Sequence, residues 1–143
     1  ERKGALKLWD PTKKKVKVVA NFPVFTKFEY GLMGLNVDPN FKQNKWIYAY
    51  YSPLTGNSVA DTAQHLSRFV YDDVKDTLLL NTEKVLLTIP VKRDGCCHTG
   101  GSIAWDRKGN LYLSTGDDTN PFNSFLKATC FRKEILKPAL KST

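Results

Sequence analysis

The side chains best suited to chemistry lie together in one short segment, residues 93–101, with the sequence RDGCCHTGG. Two adjacent cysteines, Cys96 and Cys97, run directly into His98, one of only two histidines in the chain. Thiols and an imidazole can act as nucleophiles, metal ligands or proton carriers. The neighbouring glycines let the backbone turn sharply and approach a ligand closely. This segment is therefore the first candidate for a functional site.

Two common kinds of site do not fit the spacing of these residues. Adjacent cysteines match none of the usual zinc-ligand spacings, and the third cysteine, Cys130, lies in a segment of different character. Ser102, His98 and Asp94 lack the strand–turn–helix context of a nucleophile elbow, which argues against a Ser-His-Asp triad. The second histidine, His65, is expected to be a structural residue at a strand edge.

The composition is that of an ordinary globular protein with a surplus of basic residues. The 143 residues are 41% hydrophobic and 25% charged, and the net charge is +8. No apolar run is long enough to span a bilayer. Five cations and one acid follow Asn120, and three lysines at 13–15 follow a turn-forming Asp-Pro-Thr sequence. Because the basic and aromatic residues lie in different segments, a nucleic-acid partner is not predicted.

The dominant hydrophobic period is two residues, which is typical of β-strands. β-Branched and aromatic residues fill the runs, and Asp, Pro, Asn and Gly fill the gaps between them. The runs form four successive hairpins: GALKLWD with KVKVVANF, LMGLNVD with KWIYAYYS, HLSRFVYD with EKVLLTIP, and GSIAWD with NLYLSTGD. The pattern predicts an all-β protein.

The hairpins alternate in character, which favours a β-propeller over a β-sandwich. The second and fourth hairpins share a first strand that begins at glycine and ends at aspartate, Asp38 and Asp106, and a hairpin of different composition lies between them. Propeller blades are four-stranded units, here an inner and an outer hairpin. We therefore predict one full blade over residues 31–92, flanked by half-blades, in a partial propeller domain over residues 1–122.

Residues 123–143 form a divergent basic tail in which the strand pattern stops. Their apolar spacing predicts a weak helix that ends near Pro138. This change of pattern sets the tail apart from the propeller domain.

In a propeller, the loops that lead into the innermost strands surround the mouth of the central channel, where ligands bind. Residues 93–101 form such a loop, so His98 is expected to face the channel. The loop before the earlier inner strand brings Glu29 to the same rim. Asp117 follows the strand after the inner one, and we expect it to approach the mouth as well.

Three blocks of the sequence resemble the glucose/sorbosone dehydrogenase family of soluble quinoprotein sugar dehydrogenases. They are GLMGLNVDPNFKQNKWIYAYYSP, HLSRF and CCHTGGSIAWDRKGNLYLSTGDDTNPF, and the likeness spans residues 1 to about 122. The last block is similar to the bacterial branch that carries CCHTGG. The resemblance implies a six-bladed propeller that binds pyrroloquinoline quinone (PQQ) with calcium and oxidises aldose sugars. It also implies that this chain is a fragment with about two blades.

By position, the resemblance makes His98 the catalytic general base, which takes the proton of the anomeric hydroxyl while hydride passes to the quinone. Imidazole suits this role because its ordinary pKa is about 6.5. Glu29 falls where the family has a polar contact with the cofactor, and we expect Cys96, Cys97 and Asp117 to bind the cofactor too. Calcium would polarise the quinone carbonyl. Its ligands in the family come from later blades, so no metal ligand is predicted here.

Cys97 lies where relatives of the best-known type carry an acid, which leaves the carboxylate partner of His98 unassigned. We hypothesise that Cys96 and Cys97 close a strained eight-membered disulfide ring under the quinone. Adjacent cysteines do so in the unrelated propeller quinoproteins that oxidise alcohols. Strained disulfides are readily reduced, so a pair of free thiols is the alternative.

The predicted function is therefore that of a fragment of a PQQ-dependent sugar dehydrogenase, whose parent we expect to be periplasmic or secreted. Its partners would be a sugar and an electron acceptor that the sequence does not identify. One alternative is a non-catalytic propeller that binds a ligand or a protein. The other is a truncated product without activity, and we expect the 143-residue chain alone to be inactive.

Overall fold

The computed structural model describes residues 1–54, 62–93, 98–116 and, for the backbone alone, 132–136. The elements in chain order are β1 (Ala5–Asp10), β2 (Lys15–Asn21), β3 (Leu32–Val37), α1 (Phe41–Asn44), β4 (Trp46–Tyr51), β5 (Ala63–Asp72), β6 (Thr77–Pro90), β7 (Gly100–Trp105), β8 (Leu111–Thr115) and β9 (Arg132–Leu136). The all-β prediction is confirmed, and all eight predicted strands are present. In the part of the chain that is described, no helix is long and apolar enough to cross a membrane.

The strands form three antiparallel sheets, and within the described ranges none of them closes on itself. The first contains β1 and β2, the second β3, β4, β5 and β6, and the third β7, β8 and β9. Neighbouring strands in each sheet are also neighbours in the sequence. The four-stranded sheet runs from residue 32 to residue 90, inside the range predicted for a full blade.

Strand β4 in the middle sheet is buried on both faces. Ile47, Ala49 and Tyr51 belong to one apolar core, and Tyr48 and Tyr50 belong to the other. This division follows from the alternation of side chains along a strand. The first core is shared with hairpin β1–β2, and the second is shared with β7 and β8. The three sheets therefore stack as layers, with the four-stranded sheet in the middle.

Phe22 joins the first sheet to the middle sheet. Its ring meets the rings of Tyr51 and Phe69 edge-on, at centroid distances of 5.3 and 5.2 Å. This is a favoured geometry for aromatic pairs. The Thr77 hydroxyl donates a hydrogen bond to the Val19 carbonyl at 2.9 Å, so the same interface also contains a directional contact.

Strand β3 of the middle sheet lies against β7 of the third sheet at close range. The side-chain amide of Asn36 donates to the Ile103 carbonyl at 2.9 Å. A Cβ atom on Gly34 would lie only 2.0 Å from the Gly101 carbonyl oxygen, so no side chain fits between the two strands. Here the glycine permits an approach between two backbones, which fixes β7 on the middle sheet.

Asp106 organises the turn between β7 and β8. Its carboxylate accepts hydrogen bonds at 2.8–3.0 Å from the backbone N–H groups of Lys108 and Asn110 and from the side chains of Asn110 and Tyr112. These donors, led by the Asn110 side chain, lower the pKa of Asp106 to about 2. In the β3–β4 connection, Asp38 likewise accepts hydrogen bonds from an asparagine and a tyrosine. Both connections therefore begin at an aspartate that binds an asparagine and a tyrosine, although only the β3–β4 connection contains a helix.

The structure corrects the prediction for part of the tail. Residues 132–136 form strand β9 and not a helix, and they pair with β8 from Thr115↔Arg132 to Leu111↔Leu136. Pairing with the edge of an existing strand outweighs a weak local helix preference, because tertiary context overrides propensity. The other residues of the tail lie outside the described ranges.

The outer face of hairpin β1–β2 carries apolar side chains that nothing described covers. Trp9 and Val16 are paired across the two strands, and they are 55% and 58% exposed. Val18 on the same face is 46% exposed. The three lysines at 13–15 are exposed at the turn, as expected for a solvated hairpin tip.

We predict that Leu66→Ala lowers the free energy of unfolding by about 2–5 kcal/mol, because it removes buried methyl groups from the core between the second and third sheets. Leu66 is fully buried in that core. Urea denaturation followed by tryptophan fluorescence measures the change. Val74→Ala is the control, since Val74 is 92% exposed and its loss should change the stability by less than about 0.5 kcal/mol. Equal effects of the two changes would contradict the layered packing.

We also predict that Asp106→Asn destabilises the fold at neutral pH and that the difference from the parent chain disappears in acid. The pKa of Asp106 is lower in the folded chain than in the unfolded chain, so the carboxylate stabilises the fold fully above about pH 4. That contribution is lost as the pH falls towards about 2. Urea midpoints of both chains across this range test the prediction, which a pH-independent difference would contradict.

Candidate functional site

His98 lies in the wall of an open pocket of about 520 Å³, a size found for small-ligand and cofactor sites. The loop before β3 contributes Glu29 to the same pocket. His98 comes from the loop before β7, and Arg2 comes from the segment before β1. The lining residues are Arg2, Glu29, Leu32, Met33, His98, Thr99 and Gly100. The structure thus brings together two of the predicted site residues, His98 and Glu29.

The backbone at His98 has an uncommon conformation. Its φ is 63°, in the left-handed region that residues with a side chain rarely occupy. Thr99 is buried, and Gly100 and Gly101, which open strand β7, also have positive φ values, 70° and 123°. The chain therefore turns sharply at this point, which leaves His98 exposed while the next residues enter the sheet.

Arg2 holds the loop that carries Glu29. Its Nη1 atom donates hydrogen bonds to the carbonyls of Thr26, Phe28 and Tyr30, at 3.1, 2.8 and 2.8 Å. Glu29 lies between the last two of these residues. Hydrogen bonds from a charged donor are stronger than bonds between neutral groups. Arg2 therefore fixes the backbone on both sides of Glu29.

Arg93 and Tyr30 hold the chain just before the candidate segment. The Arg93 Nη2 atom donates to the carbonyls of Pro53 and Ala63, both at 2.9 Å. The Tyr30 hydroxyl donates to the Lys92 carbonyl at 2.8 Å. Burial lowers the pKa of Arg93, although a guanidinium stays protonated in proteins. Through Tyr30, the Glu29 loop is tied directly to the chain that leads to His98.

Three of the predicted site residues, Cys96, Cys97 and Asp117, lie outside the described residues. Their contacts with a cofactor and the disulfide between the two cysteines stay predictions. The described ranges contain no group of three or more His, Cys, Asp and Glu side chains that could hold a metal ion. No calcium ligand is therefore assigned.

His65 is not part of the pocket. It lies near the start of strand β5, but inside the sheet and not at its edge. It pairs with Tyr51 of β4 on one side and with Thr88 of β6 on the other. Burial lowers the pKa of His65, which favours a neutral imidazole inside the sheet.

Sequence reasoning missed part of the pocket wall. Arg2 belongs to no motif, and its role depends on three carbonyls more than twenty residues away, so no local signal reveals it. The glycines before and within the inner strands are a signal that could have found other lining residues, because they mark where backbones approach closely. The lining residues outside the predicted segment 93–101 that no prediction named are Arg2, Leu32 and Met33.

Residues 1–129 match the family profile described as Glucose / Sorbosone dehydrogenase. The chain is similar to a glucose dehydrogenase-type oxidoreductase from Thermus thermophilus, with 29% identity and a TM-score of 0.70 over 82% of this chain and 33% of that one. It is also similar to the PQQ-bound aldose sugar dehydrogenase of Streptomyces coelicolor, with 21% identity and a TM-score of 0.66 over 82% and 33% of the two chains. A Synechocystis protein of unassigned function is 27% identical over 106 residues, which are 74% of this chain and 24% of that protein.

The chain spans about a third of the length of these solved structures and about a quarter of the Synechocystis protein. The solved structures are β-propeller sugar dehydrogenases, and the chain has the fold of part of such a propeller. The predicted fold class is therefore confirmed. The family match ends at residue 129, slightly beyond the limit near residue 122 that the sequence blocks suggested.

We predict that Arg2→Met speeds amide hydrogen exchange in residues 26–32, because the loop with Glu29 loses three hydrogen bonds from one guanidinium. Exchange in β7 and β8 should stay unchanged. Hydrogen-exchange mass spectrometry measures both regions at once. Lys3→Met is the control, since it removes a neighbouring surface charge at an exposed position. An unchanged exchange rate in residues 26–32 would show that Arg2 does not hold the loop.

Proposed function

Because the chain belongs to the glucose/sorbosone dehydrogenase family over residues 1–129, we propose that it forms part of the active site of a PQQ-dependent sugar dehydrogenase. The observation that carries this proposal is the pocket that His98 and Glu29 share, although they come from separate loops. The relative from Streptomyces coelicolor, which was solved with PQQ bound, supports the class of cofactor.

The described lining fits part of PQQ, which is a flat ring system with three carboxylates. The volume of the pocket is sufficient for such a ring system. Leu32 and Met33 provide apolar surface and Thr99 a hydroxyl. Arg2 is the cation among the seven lining residues, and its Nη1 atom already donates hydrogen bonds to three backbone carbonyls. The lining therefore suits the body of the cofactor, while most of its negative charge requires cations beyond these residues.

In the proposed reaction, His98 accepts the proton of the anomeric hydroxyl of an aldose on an unprotonated imidazole nitrogen. The sugar loses this proton and the hydride on its anomeric carbon, and the anomeric C–O bond becomes the carbonyl of a lactone. PQQ, when bound, supplies the acceptor for the hydride. The exposure of His98 gives the sugar access to the imidazole.

Glu29 contributes a negative charge to the same pocket. We propose that Glu29 makes a polar contact with the cofactor from this position. Its loop, held by Arg2, keeps that charge in the pocket wall.

We predict saturable binding of PQQ to the purified chain in calcium-containing buffer, with an affinity about tenfold lower for His98→Ala, the cost of losing one hydrogen bond to a charged group. Titration followed by the absorbance of the quinone measures the affinity. His65→Ala is the matched control, because it removes the other imidazole from a position outside the pocket. Equal affinities of the two variants, or no binding to a folded chain, would contradict the assignment of the pocket.

The chain alone is expected to show no sugar-dependent reduction of a dye, because it spans about a third of the length of the solved relatives. Turnover by the 143-residue chain would show that its residues suffice for the reaction.

A further inference from the structure

We infer that Gly116 is a positioning residue for His98, an inference that rests on the proposed role of His98 as the base. Gly116 directly follows strand β8. A Cβ atom on Gly116 would lie 1.2 Å from the carbonyl oxygen of His98 and 2.1 Å from its carbonyl carbon. Cβ atoms in proteins essentially never approach other atoms closer than 3.0 Å. A side chain at position 116 therefore fits only if the backbones of His98 and residue 116 move apart.

Glycine is required at position 116 for steric reasons and not for its backbone conformation. The φ of Gly116 lies outside the left-handed region, so its φ does not require glycine. Gly109, in the turn between β7 and β8, shows the opposite situation. Its φ is 78°, but a Cβ atom there would meet nothing within 4 Å. Comparison of the two glycines therefore distinguishes steric contact from backbone strain. A side chain at position 116 would collide with His98, whereas one at position 109 would not.

The contact is part of a tight crossing where the chain enters β7. Gly100 pairs with Thr115 at the end of β8, and a Cβ atom on Gly100 would lie 2.7 Å from the Gly116 nitrogen. The buried Thr99 lies between this pairing and His98. Gly100 is paired in the sheet and Thr99 next to it is buried, so a shift of the His98 backbone away from a side chain at position 116 moves the imidazole as well.

A displacement of this kind matters because a general base must be within hydrogen-bonding reach of the proton it takes. Misplacement of a reacting group by about 1 Å can cost about 100-fold in rate. Gly116 does not line the pocket, so it has no direct contact with a ligand there. Its effect on the chemistry passes through the position of His98.

The test compares Gly116→Ala with the matched control Gly109→Ala by NMR of the two histidine rings in the absence of cofactor. His98 reports on the pocket, and His65, inside the middle sheet, reports on the fold. We expect Gly116→Ala to shift the His98 ring signals, while the His65 signals stay in place. Gly109→Ala should leave both rings as in the parent chain. Unchanged His98 signals in a folded Gly116→Ala chain would overturn the inference.

If Gly116→Ala fails to fold, the His65 signals will also lose their native positions. The double variant Gly116→Ala with His98→Gly then tests whether the contact with His98 is the cause. Glycine at position 98 lets the backbone bend away from the added methyl group. We expect the double variant to recover the His65 signals of the parent chain. A double variant that stays unfolded would show that the critical contact of position 116 lies elsewhere, which overturns the inference.

Titration with PQQ separates this inference from the proposed function. If the parent chain binds PQQ, we expect Gly116→Ala to weaken binding about tenfold, as His98→Ala does, because a loosely held group contributes less. If the parent chain does not bind PQQ, the proposed cofactor fails, and the NMR result still decides whether Gly116 positions His98. Full affinity of Gly116→Ala beside weakened binding by His98→Ala would overturn the positioning role.

Discussion

The burial of strand β4 on both faces is the constraint on which the rest of the structure depends. A strand with aromatic and aliphatic residues at every position cannot face water on either side, so it requires one layer of protein above it and another below. Hairpin β1–β2 provides one layer, and strands β7 and β8 provide the other. Hairpin β1–β2 alone has too few strands to be stable in water. The middle sheet therefore supplies both cores of the chain.

The pocket is a product of this stacking. Arg2, Glu29 and His98 each come from the chain just before the first strand of a different sheet. Their distances are therefore set by how the sheets pack, and the close contact of Gly34 with Gly101 brings two of those sheets together. A functional group on a loop can be held accurately when the loop starts and ends on rigid strands. Arg93 and Tyr30 give the loop before His98 such a start.

The sequence predicts the strands well because β-branched and aromatic residues fill them, most with an alternating pattern, and turn-forming residues separate them. It also predicts His98 and Glu29, since loops before inner strands meet at one end of a propeller. Strand β9 escaped prediction because its structure depends on pairing with β8, which its own residues do not reveal. The contacts of Arg2 and Gly116 escaped for a similar reason. These contacts join segments that are distant in the sequence, and no periodic sequence pattern indicates them.

The order of the strands has a consequence for how the chain is made. Each sheet consists of strands that follow one another in the sequence. The hydrogen bonds of each sheet therefore form between strands that are synthesised one after the other. Closing a short loop costs less conformational entropy than closing a long one. During synthesis from the N-terminus, hairpin β1–β2 is followed by the sheet that covers its inner face. The growing polypeptide can thus bury its apolar surface layer by layer as it emerges from the ribosome.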